Sequence, residues 1–382
     1  MAPWKEAAHA VGIRSSVAIP IKDGRDHMMG VIGLYGLYPG QFESAVMQAF
    51  SDSLAQVCHR FLQRSQSSRL SLPLPAQQRS HWRERLFGGG LEMFMQPVVN
   101  LHTGKPFKVE ALARLRLEDG KLITPGQFLS TFGSSELAHL FVLGLDQALS
   151  QVSRWDVQGP SLDISINLPP EVLLDTDCPR WIDDALQKHG MAPERLHLEI
   201  LESAEFDDDK RRDAAVQMLT DLGVRLVMDD LGSGYSSLLR LRTLPFHAVK
   251  IDQGLVREAH KDPRRIIGFI GALVRLGKGL GLTVAVEGLE TPDLIEAAAV
   301  LGADGGQGYA LAKPMPASEL PDWVRHFRLS LDHSNPRTLL GTVAADWLRE
   351  QTVLFPQSRS GAGAVVTAPV NCQNAPTPDS IQ

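Results

Sequence analysis

Two adjacent carboxylates, Asp229 and Asp230, follow a run of apolar residues and precede the glycine-containing segment Gly232–Tyr235. Adjacent acids at the end of a buried strand are costly to desolvate unless a cation neutralises them. A divalent metal ion is the commonest such cation, because hard cations take carboxylate oxygens as ligands. An Asp-Asp pair also occurs in solvated turns, where one Asp caps the next helix. The pair alone therefore leaves both interpretations open.

Further polar residues stand near the ends of other short apolar runs. They are Gln96, Glu110, Asn167, Glu199, Lys250, Glu287 and Gln307. Each alone has an ordinary structural interpretation, such as a turn-forming Asn or a lysine whose stem packs on apolar surface. If all of them lie on one rim, the carboxylates repel one another, and Lys250 supplies a single positive charge. The set therefore predicts a metal site with two ions that share carboxylate ligands, as in two-metal phosphodiester hydrolysis.

The ligand types in this set narrow the choice of metal. Ligation by oxygen alone, without His or Cys, favours Mg²⁺ or Mn²⁺ over Zn²⁺. The three cysteines, Cys58, Cys178 and Cys372, are isolated in the sequence. Their odd number and wide spacing indicate neither a disulfide framework nor a zinc knuckle.

The elements that must position these residues alternate between strand and helix over residues 86–328. The predicted strands are Met93–Val98, Phe107–Leu112, Leu162–Asn167, Leu196–Leu201, Arg225–Asp230, Ala248–Asp252, Thr283–Glu287 and Gly305–Leu311. The predicted helices between them are Pro125–Trp155, Pro179–His189, Asp208–Leu222, Pro263–Leu280 and Pro292–Leu301. Such alternation over ~240 residues is typical of an eightfold barrel, whose active site lies at the C-terminal ends of the strands. We therefore predict an α/β fold with a modified (β/α)8 TIM-like barrel.

An open doubly wound sheet is the structural competitor of this barrel. Such a sheet usually carries a glycine-rich fingerprint after its first strand, whereas Gly88–Gly90 precede the first strand here. The first connection, Asn100–Pro106, is too short for a helix. The first two strands are therefore expected to pair as an antiparallel hairpin.

The composition limits the class of protein. The chain has 382 residues, of which 43% are hydrophobic and 21% are charged, and a formal net charge of -6, an ordinary globular balance. The negative charge argues against broad nonspecific nucleic-acid binding. No run reaches the length of a membrane span, and residues 1–10 lack the apolar core of a signal peptide. The expected location is the cytoplasm.

The first 64 residues form a separate predicted unit of α+β type. Two strands and a helix are predicted, at Arg14–Ile21, Met28–Tyr35 and Phe42–Arg64. The run Gly12–Pro20, the strand Gly30–Leu34 and the closing helix resemble the C-terminal half of a GAF domain, a family of small-molecule or dimerisation sensor modules. We expect a partial GAF-like segment at residues 1–64.

The remaining segments follow from composition and pattern. Residues 65–85 contain a stretch rich in Ser, Pro and Gln and are predicted to be a linker. The barrel is expected at 86–328, and a C-terminal helical extension at 329–355 with one amphipathic helix over Arg337–Phe355. Residues 356–382 carry little charge and few large apolar residues and are predicted to be a disordered tail.

Taken together, the motifs of residues 86–328 resemble the EAL-domain phosphodiesterases of bacterial cyclic-di-GMP signalling. The triplet that names the family stands at Glu110–Leu112, followed by Ala113 and Arg114. The other matching runs are Gln96–Val98, Ser165–Leu168, Leu198–Ser203, Asp229–Leu238, Val249–Asp252, Val286–Thr291 and Gln307–Tyr309. The resemblance implies a modified (β/α) barrel that linearises cyclic-di-GMP to pGpG with Mg²⁺ or Mn²⁺. It also implies a homodimer.

The resemblance further implies a role for each matching residue. The metal ligands would be Glu110, Asn167, Glu199, Asp229, Asp230 and Glu287. The catalytic residues would be Lys250, Glu287, Gln307 and Glu202. Lys250 would position and acidify the attacking water, and Glu202 would anchor the loop at 232–237. The substrate-binding group would be Gln96, Arg114 and Glu290, with Arg114 on a phosphate and Glu290 supporting the surroundings of Glu287.

Two alternatives to an active phosphodiesterase remain open. The first is a catalytically silent cyclic-di-GMP receptor that signals through a protein partner. Such relatives typically lose acids of the metal site, and this chain retains all of them. The second is an enolase-type enzyme with Lys250 as the base, which the loop after Asp230 and the triplet at Glu110 disfavour. Incubation with cyclic-di-GMP and Mn²⁺ separates the three. An active phosphodiesterase turns the dinucleotide over, a silent receptor binds it without turnover, and an enolase-type enzyme does neither.

Overall fold

The structure is a computed structural model. It describes residues 8, 11–22, 28–44, 47–48, 50–51, 76–129, 132–201, 209–232, 241–332 and 334–354. The chain divides into two compact units, residues 1–80 and residues 81–382.

The first unit contains an antiparallel hairpin of strands β1 (Ser15–Lys22) and β2 (Met28–Gly36). Both strands agree with the prediction from alternating apolar residues. Ile19 is buried, whereas Val31 and Tyr35 are more than half exposed. Most of the helix predicted at residues 42–64 lies outside the described residues.

The second unit is built around a closed ring of eight strands. In chain order the ring strands are β3 (Leu91–Asn100), β4 (Lys105–Arg116), β6 (Asp163–Asn167), β7 (Leu196–Leu201), β8 (Arg225–Leu231), β9 (Ala248–Ile251), β10 (Thr283–Val286) and β11 (Gly305–Gly306). Neighbouring strands are parallel, except that β3 runs antiparallel to both β4 and β11. The predicted modified barrel and its first hairpin are thereby confirmed.

Two short strands lie beside the ring. They are β5 (Leu122–Ile123), which pairs with β4, and β12 (Met315–Pro316), which pairs with β3. Most ring strands are buried on both faces, as in β7, where residues 196–200 are all buried. This is expected for parallel strands that carry helices outside and a packed interior inside.

Helices follow most of the ring strands. They are α1 (Ala76–Arg85), α2 (Pro125–Phe128), α3 (Ser134–Gln158), α4 (Pro170–Leu173), α5 (Cys178–His189), α6 (Asp209–Asp221), α7 (Gln253–Arg257), α8 (Pro263–Gly279), α9 (Pro292–Val300), α10 (Leu320–His326) and α11 (Leu339–Leu354). In α3, Leu145, Leu149 and Val152 are buried on one face, at the spacing of an amphipathic helix. No helix of the described residues is long and apolar enough to cross a membrane.

Two predicted elements differ in extent from the observed ones. The helix predicted at Pro125–Trp155 is two helices, and the backbone N–H of Gly133 donates to Glu136 at the start of the second. The last ring strand is two residues long instead of seven. Helix α1 covers the C-terminal part of the segment predicted to be a linker.

The C-terminal helix α11 packs on α8 and α9. The indole of Trp347 lies against Gly268 and Gly271 of α8. The carboxylate of Glu296 accepts hydrogen bonds from the backbone N–H groups of Arg337 and Thr338 and from the Thr338 hydroxyl. The predicted C-terminal extension is therefore attached to the barrel by both apolar and polar contacts.

Candidate active site

Lys250 lies at the centre of a carboxylate cluster at the C-terminal ends of the ring strands. Its ammonium nitrogen is 2.6 Å from Glu287 Oε1 and 2.9 Å from Glu199 Oε2. It is also 3.2 Å from Asp229 Oδ1 and 3.3 Å from Glu110 Oε2. Lys250 is 2% exposed. One buried cation therefore faces four carboxylates from four different strands or strand ends.

The order of strands explains why a lysine occupies the centre. Strands β4 and β9 are four places apart in a ring of eight, so Glu110 and Lys250 start from opposite walls of the barrel. Only a long side chain such as that of lysine, with its four-carbon stem, reaches across. The register pairs Asn167 with Glu199 on neighbouring strands, which aligns their side chains at the same height.

The Asp229–Asp230 pair depends on an irregularity at the end of β8. Consecutive residues of a regular strand point to opposite faces, which would send only one of the two acids into the barrel. The register of β8 against β9 shifts between Met228 and Leu231. Asp230 has a φ of 60°, the only positive φ of a non-glycine residue in the described parts of the chain. Asp tolerates this left-handed conformation better than most residues, and both carboxylates line the same cavity.

Two glutamines join the carboxylate cluster to the place where β3 and β11 pair and close the ring. The Gln307 side-chain amide donates to Glu110 Oε2 at 2.6 Å and to Gln96 Oε1 at 3.0 Å. Gln96 in turn donates to the backbone carbonyl of Ala312 at 3.0 Å. The amide of Asn167 donates to the second oxygen of Glu110 at 3.3 Å. Glu110 is therefore held by three side chains, including Lys250.

Burial and mutual repulsion shift the proton affinities of these groups. Burial, helped by Glu110, raises the pKa of Glu199 to about 7. Burial also raises the pKa of Asp229 and that of Glu287 to about 7 each. Burial opposes ionisation of Glu110 as well, but the charge of Lys250 together with the hydrogen bonds from Gln307 and Lys250 outweighs it and holds the pKa of Glu110 below its usual value. The carboxylates outweigh burial at Lys250 and hold its pKa well above the usual range.

The arrangement fits a divalent cation. One carboxylate oxygen each from Asp229, Asp230 and Glu287 lie within 4.8 Å of one another. Glu199 Oε1 is buried and has no hydrogen-bond partner among the described residues. A buried carboxylate oxygen without a partner is costly, and a hard cation is a natural partner for it. The residues present therefore form a possible acidic metal-binding cluster.

A cavity of about 660 Å³ lies over the cluster. This volume is within the range of small-molecule sites. Arg114 lines one wall, with its guanidinium carbon 5.7 Å from the centre of the Phe94 ring. On another wall, Arg257 donates to Glu290 Oε1 at 3.1 Å from Nε and 3.0 Å from Nη2. The cavity thus carries guanidinium groups beside its acids.

The structure brings together nearly all of the residues predicted for the site. The predicted residues that line the cavity are Gln96, Glu110, Arg114, Asn167, Asp229, Asp230, Glu287, Glu290 and Gln307. Lys250 and Glu199 lie among their carboxylates. Glu202, and the loop at 233–237 that it was predicted to anchor, lie outside the described residues.

Three residues near the site were given no role by sequence reasoning, although two of them, Asp252 and Tyr309, lie in the matching runs. Arg257 and Tyr309 line the cavity, and Asp252, together with burial, raises the pKa of Asp230. Arg257 lies in the short helix directly after β9. Its position in the sequence could have identified it, since residues just after barrel strands surround the active site of such folds.

Comparison with known proteins places the chain in a family. A family model described as "EAL domain" matches residues 79–314. The chain belongs to the EAL domain family. The match begins at residue 79, and the comparisons lend no support to the GAF-like resemblance of residues 1–64, which stays a prediction.

The region of this EAL chain that matches its curated relatives makes up only part of their length. The bifunctional diguanylate cyclase/cyclic di-GMP phosphodiesterase MucR of Pseudomonas aeruginosa is 35% identical over 243 residues, covering 62% of this chain and 35% of MucR. The cyclic di-GMP phosphodiesterase PdeR of Escherichia coli is 29% identical over 248 residues, covering 64% of this chain and 37% of PdeR. The chain therefore corresponds to little more than a third of each of these proteins.

Solved EAL structures share the fold. The PaMucR phosphodiesterase in complex with c-di-GMP is 34% identical, with a TM-score of 0.60, and the match covers 64% of this chain and 99% of that one. The EAL domain of Mycobacterium smegmatis DcpA is 26% identical, with a TM-score of 0.54 and coverage of 64% and 99%. The barrel of this chain is thus an EAL barrel.

Proposed function

We propose that this EAL chain is a metal-dependent phosphodiesterase that hydrolyses cyclic-di-GMP to linear pGpG. The observation that carries the proposal is the convergence of four carboxylates on Lys250 beneath a cavity of about 660 Å³. The relative MucR, which carries this activity in its name and was solved with c-di-GMP, supports the choice of substrate.

Mg²⁺ or Mn²⁺, as two ions, would be held by the acids and the amide at the strand ends. Their ligands would be Glu110, Asn167, Glu199, Asp229, Asp230 and Glu287. Bound divalent ions supply Lewis acidity toward a phosphoryl oxygen and make an attacking water more acidic.

The protein's own side chains would position the reacting groups. Lys250, kept protonated by its carboxylate partners, is a hydrogen-bond donor to the attacking water. Gln307 orients Glu110 and donates a hydrogen bond among the groups that surround the attacking water and the metal ions. Arg114 binds a phosphate of the substrate through its guanidinium group. Attack forms a bond from the water oxygen to phosphorus and breaks the bond from phosphorus to the 3′ oxygen, which leaves a 5′-phosphate and a 3′-hydroxyl.

A protonated Lys250 also bears on the enolase-type alternative. A lysine acts as a base only when its amine is neutral. The ammonium of Lys250 lies within 3.3 Å of four carboxylates, which favour the charged form. This arrangement favours hydrolysis with Lys250 as a donor.

The test is to incubate the protein with cyclic-di-GMP and Mn²⁺ and to separate the products by chromatography. We expect pGpG from the natural sequence and none from Glu110→Ala. Glu118→Ala, which removes an exposed carboxylate from the loop after β4, is the matched control and should leave turnover unchanged. Binding of cyclic-di-GMP without turnover would replace the proposal with the silent-receptor alternative. Substantial pGpG from Glu110→Ala would contradict the ligand role of Glu110.

The remaining expectations from the sequence are part of the same proposal. They are a partial GAF-like segment at 1–64, a linker at 65–85, the barrel at 86–328, an extension at 329–355 and a tail at 356–382. Glu202 would anchor the loop that follows Asp230. We further propose a homodimer in the cytoplasm, and light scattering of the purified chain tests the oligomeric state.

A further inference from the structure

A second lysine lies inside the barrel, below the carboxylate cluster. Lys108 is in strand β4, two residues before Glu110, so the side chains of both residues lie on the same face of the strand. That face is the barrel interior, because Glu110 contacts Lys250 there. Lys108 is 4% exposed. The interior therefore contains a second basic side chain, one layer closer to the N-terminal ends of the parallel strands.

Lys108 has no close partner for its charge. Among the described residues it makes no hydrogen bond and no ion pair, whereas Lys250 contacts four carboxylates. Asp163, which is opposite Lys108 on β6, has other partners. Its Oδ2 atom is 3.2 Å from His197 Nε2, and its Oδ1 atom is 3.8 Å from Arg195 Nε. An apolar side chain such as methionine would fill the same space without the cost of a buried, unpaired charge. Packing alone therefore does not explain why this residue is a lysine.

The charge of Lys108 acts on the acids above it. Burial lowers the pKa of Lys108, and the positive charge of Lys250 adds to this effect. Glu199 opposes it most strongly among the acids, followed by Glu110. Glu199 is 1% exposed, and its Oε1 atom has no hydrogen-bond partner among the described residues. Charges interact strongly where water is excluded, so two of the proposed metal ligands, Glu199 and Glu110, lie in the field of two lysines.

The two lysines reduce the negative charge that a metal ion meets. The proposed metal ligands include five carboxylates, those of Glu110, Glu199, Asp229, Asp230 and Glu287. When all five are ionised, Lys250 cancels one of their charges and Lys108 cancels a second. At a given distance, a lysine repels a divalent cation twice as strongly as a monovalent one. Lys108 therefore opposes metal binding, although it forms no ion pair with the acids and does not line the cavity.

We propose that Lys108 is an affinity-determining residue of the metal site, whose buried charge weakens the binding of divalent cations at Glu199 and Glu110. The site then fills only at a higher concentration of free metal ion, so the activity of the enzyme follows that concentration. This inference rests on the proposed function for the position of the metal ions. It gives the two lysines different roles, since Lys250 contacts the acids and is assigned to the attacking water, whereas Lys108 acts through its charge alone.

The experiment measures the dissociation constant of Mn²⁺ by equilibrium dialysis, without substrate. Lys108→Met and Lys108→Gln remove the charge and keep most of the side-chain length, and Lys108→Arg keeps the charge. Lys105→Met is the matched control, because it removes an exposed lysine from the same strand. Dialysis at pH 8 limits competition by protons, since the raised pKa values in the cluster are about 7. Urea unfolding in EDTA shows whether each variant folds.

We expect Lys108→Met and Lys108→Gln each to lower the dissociation constant of Mn²⁺ by about tenfold. Lys108→Arg and Lys105→Met should stay close to the natural sequence. In hydrolysis of cyclic-di-GMP, the Mn²⁺ concentration that gives half of the maximal rate should fall together with the dissociation constant. The rate at saturating Mn²⁺ should change less, because Lys108 does not line the cavity.

A purely structural role for Lys108 predicts the opposite sign. If Lys108 only supports the position of Glu199, its removal weakens the binding of Mn²⁺. Weaker or unchanged binding in both charge-removing variants would therefore overturn the inference. Equally tight binding in Lys108→Arg would overturn it too, since the charge would then not be the cause. Loss of cooperative unfolding in both charge-removing variants would show that the fold requires Lys108, and this result would also overturn the inference.

Failure of the proposed function gives a different result, because dialysis needs no turnover. If the natural sequence hydrolyses no cyclic-di-GMP, the phosphodiesterase proposal is contradicted, and the dissociation constants of Mn²⁺ still decide the role of Lys108. If neither the natural sequence nor Lys108→Met binds Mn²⁺, the metal site itself is contradicted, and the inference about Lys108 with it.

Discussion

At the scale of single residues, the site is defined by a buried lysine, Lys250, in direct contact with four acids. Lys250 is the charge that makes the cluster tolerable without metal, because unpaired buried carboxylates are very costly. Three of the acids have pKa values raised to about 7, whereas that of Glu110 is lowered. Without metal, Glu110 is therefore the carboxylate that ionises most readily beside Lys250, and Glu199, Asp229 and Glu287 bind protons more readily than exposed carboxyls do.

Replacement of the central lysine should harm both activity and stability. In Lys250→Met, we expect no turnover and a free energy of unfolding in EDTA that is lower by about 3–5 kcal/mol, since breaking a buried ion pair leaves a buried charge. Urea unfolding with EDTA and with Mn²⁺ measures the effect. Lys278→Met, which removes a half-exposed partner of Asp304, should cost under about 1 kcal/mol. Unchanged stability of Lys250→Met in EDTA would contradict the charge balance described for the site.

Metal binding should strengthen as the pH rises. Glu199, Asp229 and Glu287 have pKa values of about 7 in the folded protein, above those of exposed carboxyls, so the folded state holds more protons than the unfolded state between about pH 4 and pH 7. Stability without metal should therefore fall as the pH rises through this window. Because cations compete with these protons, the increase in melting temperature caused by Mn²⁺ should grow from pH 5.5 to pH 7.5. An increase that is independent of pH would contradict the raised pKa values.

The sequence predicted the members of the site better than their arrangement. Polar residues at strand ends stand out against apolar runs, so Glu110, Asn167 and Glu199 were found by pattern. The bulge that turns both Asp229 and Asp230 inward could not be predicted from the sequence, since it depends on the register of β8 against β9. The pairing of Arg257 with Glu290 joins residues 33 positions apart, and the parallel pairing of β9 with β10 brings them together.

At the scale of elements, the contact between helices α8 and α11 depends on glycine in α8, which has no side chain to hold α11 away. A Cβ atom at Gly271 would lie 2.5 Å from the Trp347 ring, closer than real contacts allow. The guanidinium of Arg275, one turn further along α8, lies 5.0 Å from the centre of the same ring. Helix α8 thus offers a small-residue surface on which a large aromatic residue of α11 rests.

A methyl group at this contact should displace α11. We expect Gly271→Ala to lower the free energy of unfolding by about 1–3 kcal/mol, the usual cost of overfilling a packed contact. Gly279→Ala is the control on the same helix, because a Cβ there meets nothing within 4 Å, and it should be neutral or mildly stabilising. Thermal unfolding measures both variants. Equal stability of Gly271→Ala and the natural sequence would show that α11 does not rest on Gly271.

The elements were predictable where local pattern decides them. Helices such as α5 (Cys178–His189) and α8 (Pro263–Gly279) carry an apolar stripe, and their observed bounds lie within one residue of the predicted ones. The last ring strand was predicted too long, because apolar residues after Gly306 suggested strand. In the structure the backbone N–H of Leu289 instead bonds to Gln307 O, and the chain leaves the ring there.

At the scale of the whole molecule, the second half of α1, from His81 onward, belongs to the barrel unit although it precedes the first ring strand. Trp82 and Leu86 are buried. Arg83 pairs with Glu136 at 2.6 Å, and the Phe87 ring stacks on His139 at 4.5 Å. The segment from Trp82 to Phe87 is therefore attached to the start of α3 by an ion pair and a ring contact, and it buries two large apolar side chains.

Truncation tests this role of α1. A chain that begins at Ala76 should unfold at a higher urea concentration than a chain that begins at Leu91. The expected difference is about 3–6 kcal/mol, from about 1.5–3 kcal/mol for each of the buried side chains Trp82 and Leu86. Equal midpoints for the two chains would show that α1 contributes nothing to the barrel. Substitution of Trp82 by Ala in the longer chain should reproduce part of the loss.

The antiparallel pairing of β3 with β11, which closes the ring, has a consequence for the synthesis of the protein. Ring closure pairs Asn100 with Gly305 and Val99 with Gly306, and Gln307 reaches Gln96 across 211 positions of the chain. Proteins emerge from the ribosome N-terminal end first. A nascent chain therefore carries Glu110 long before the partner that orients it exists, and neither the ring nor the site can be completed until residue 307 has left the exit tunnel.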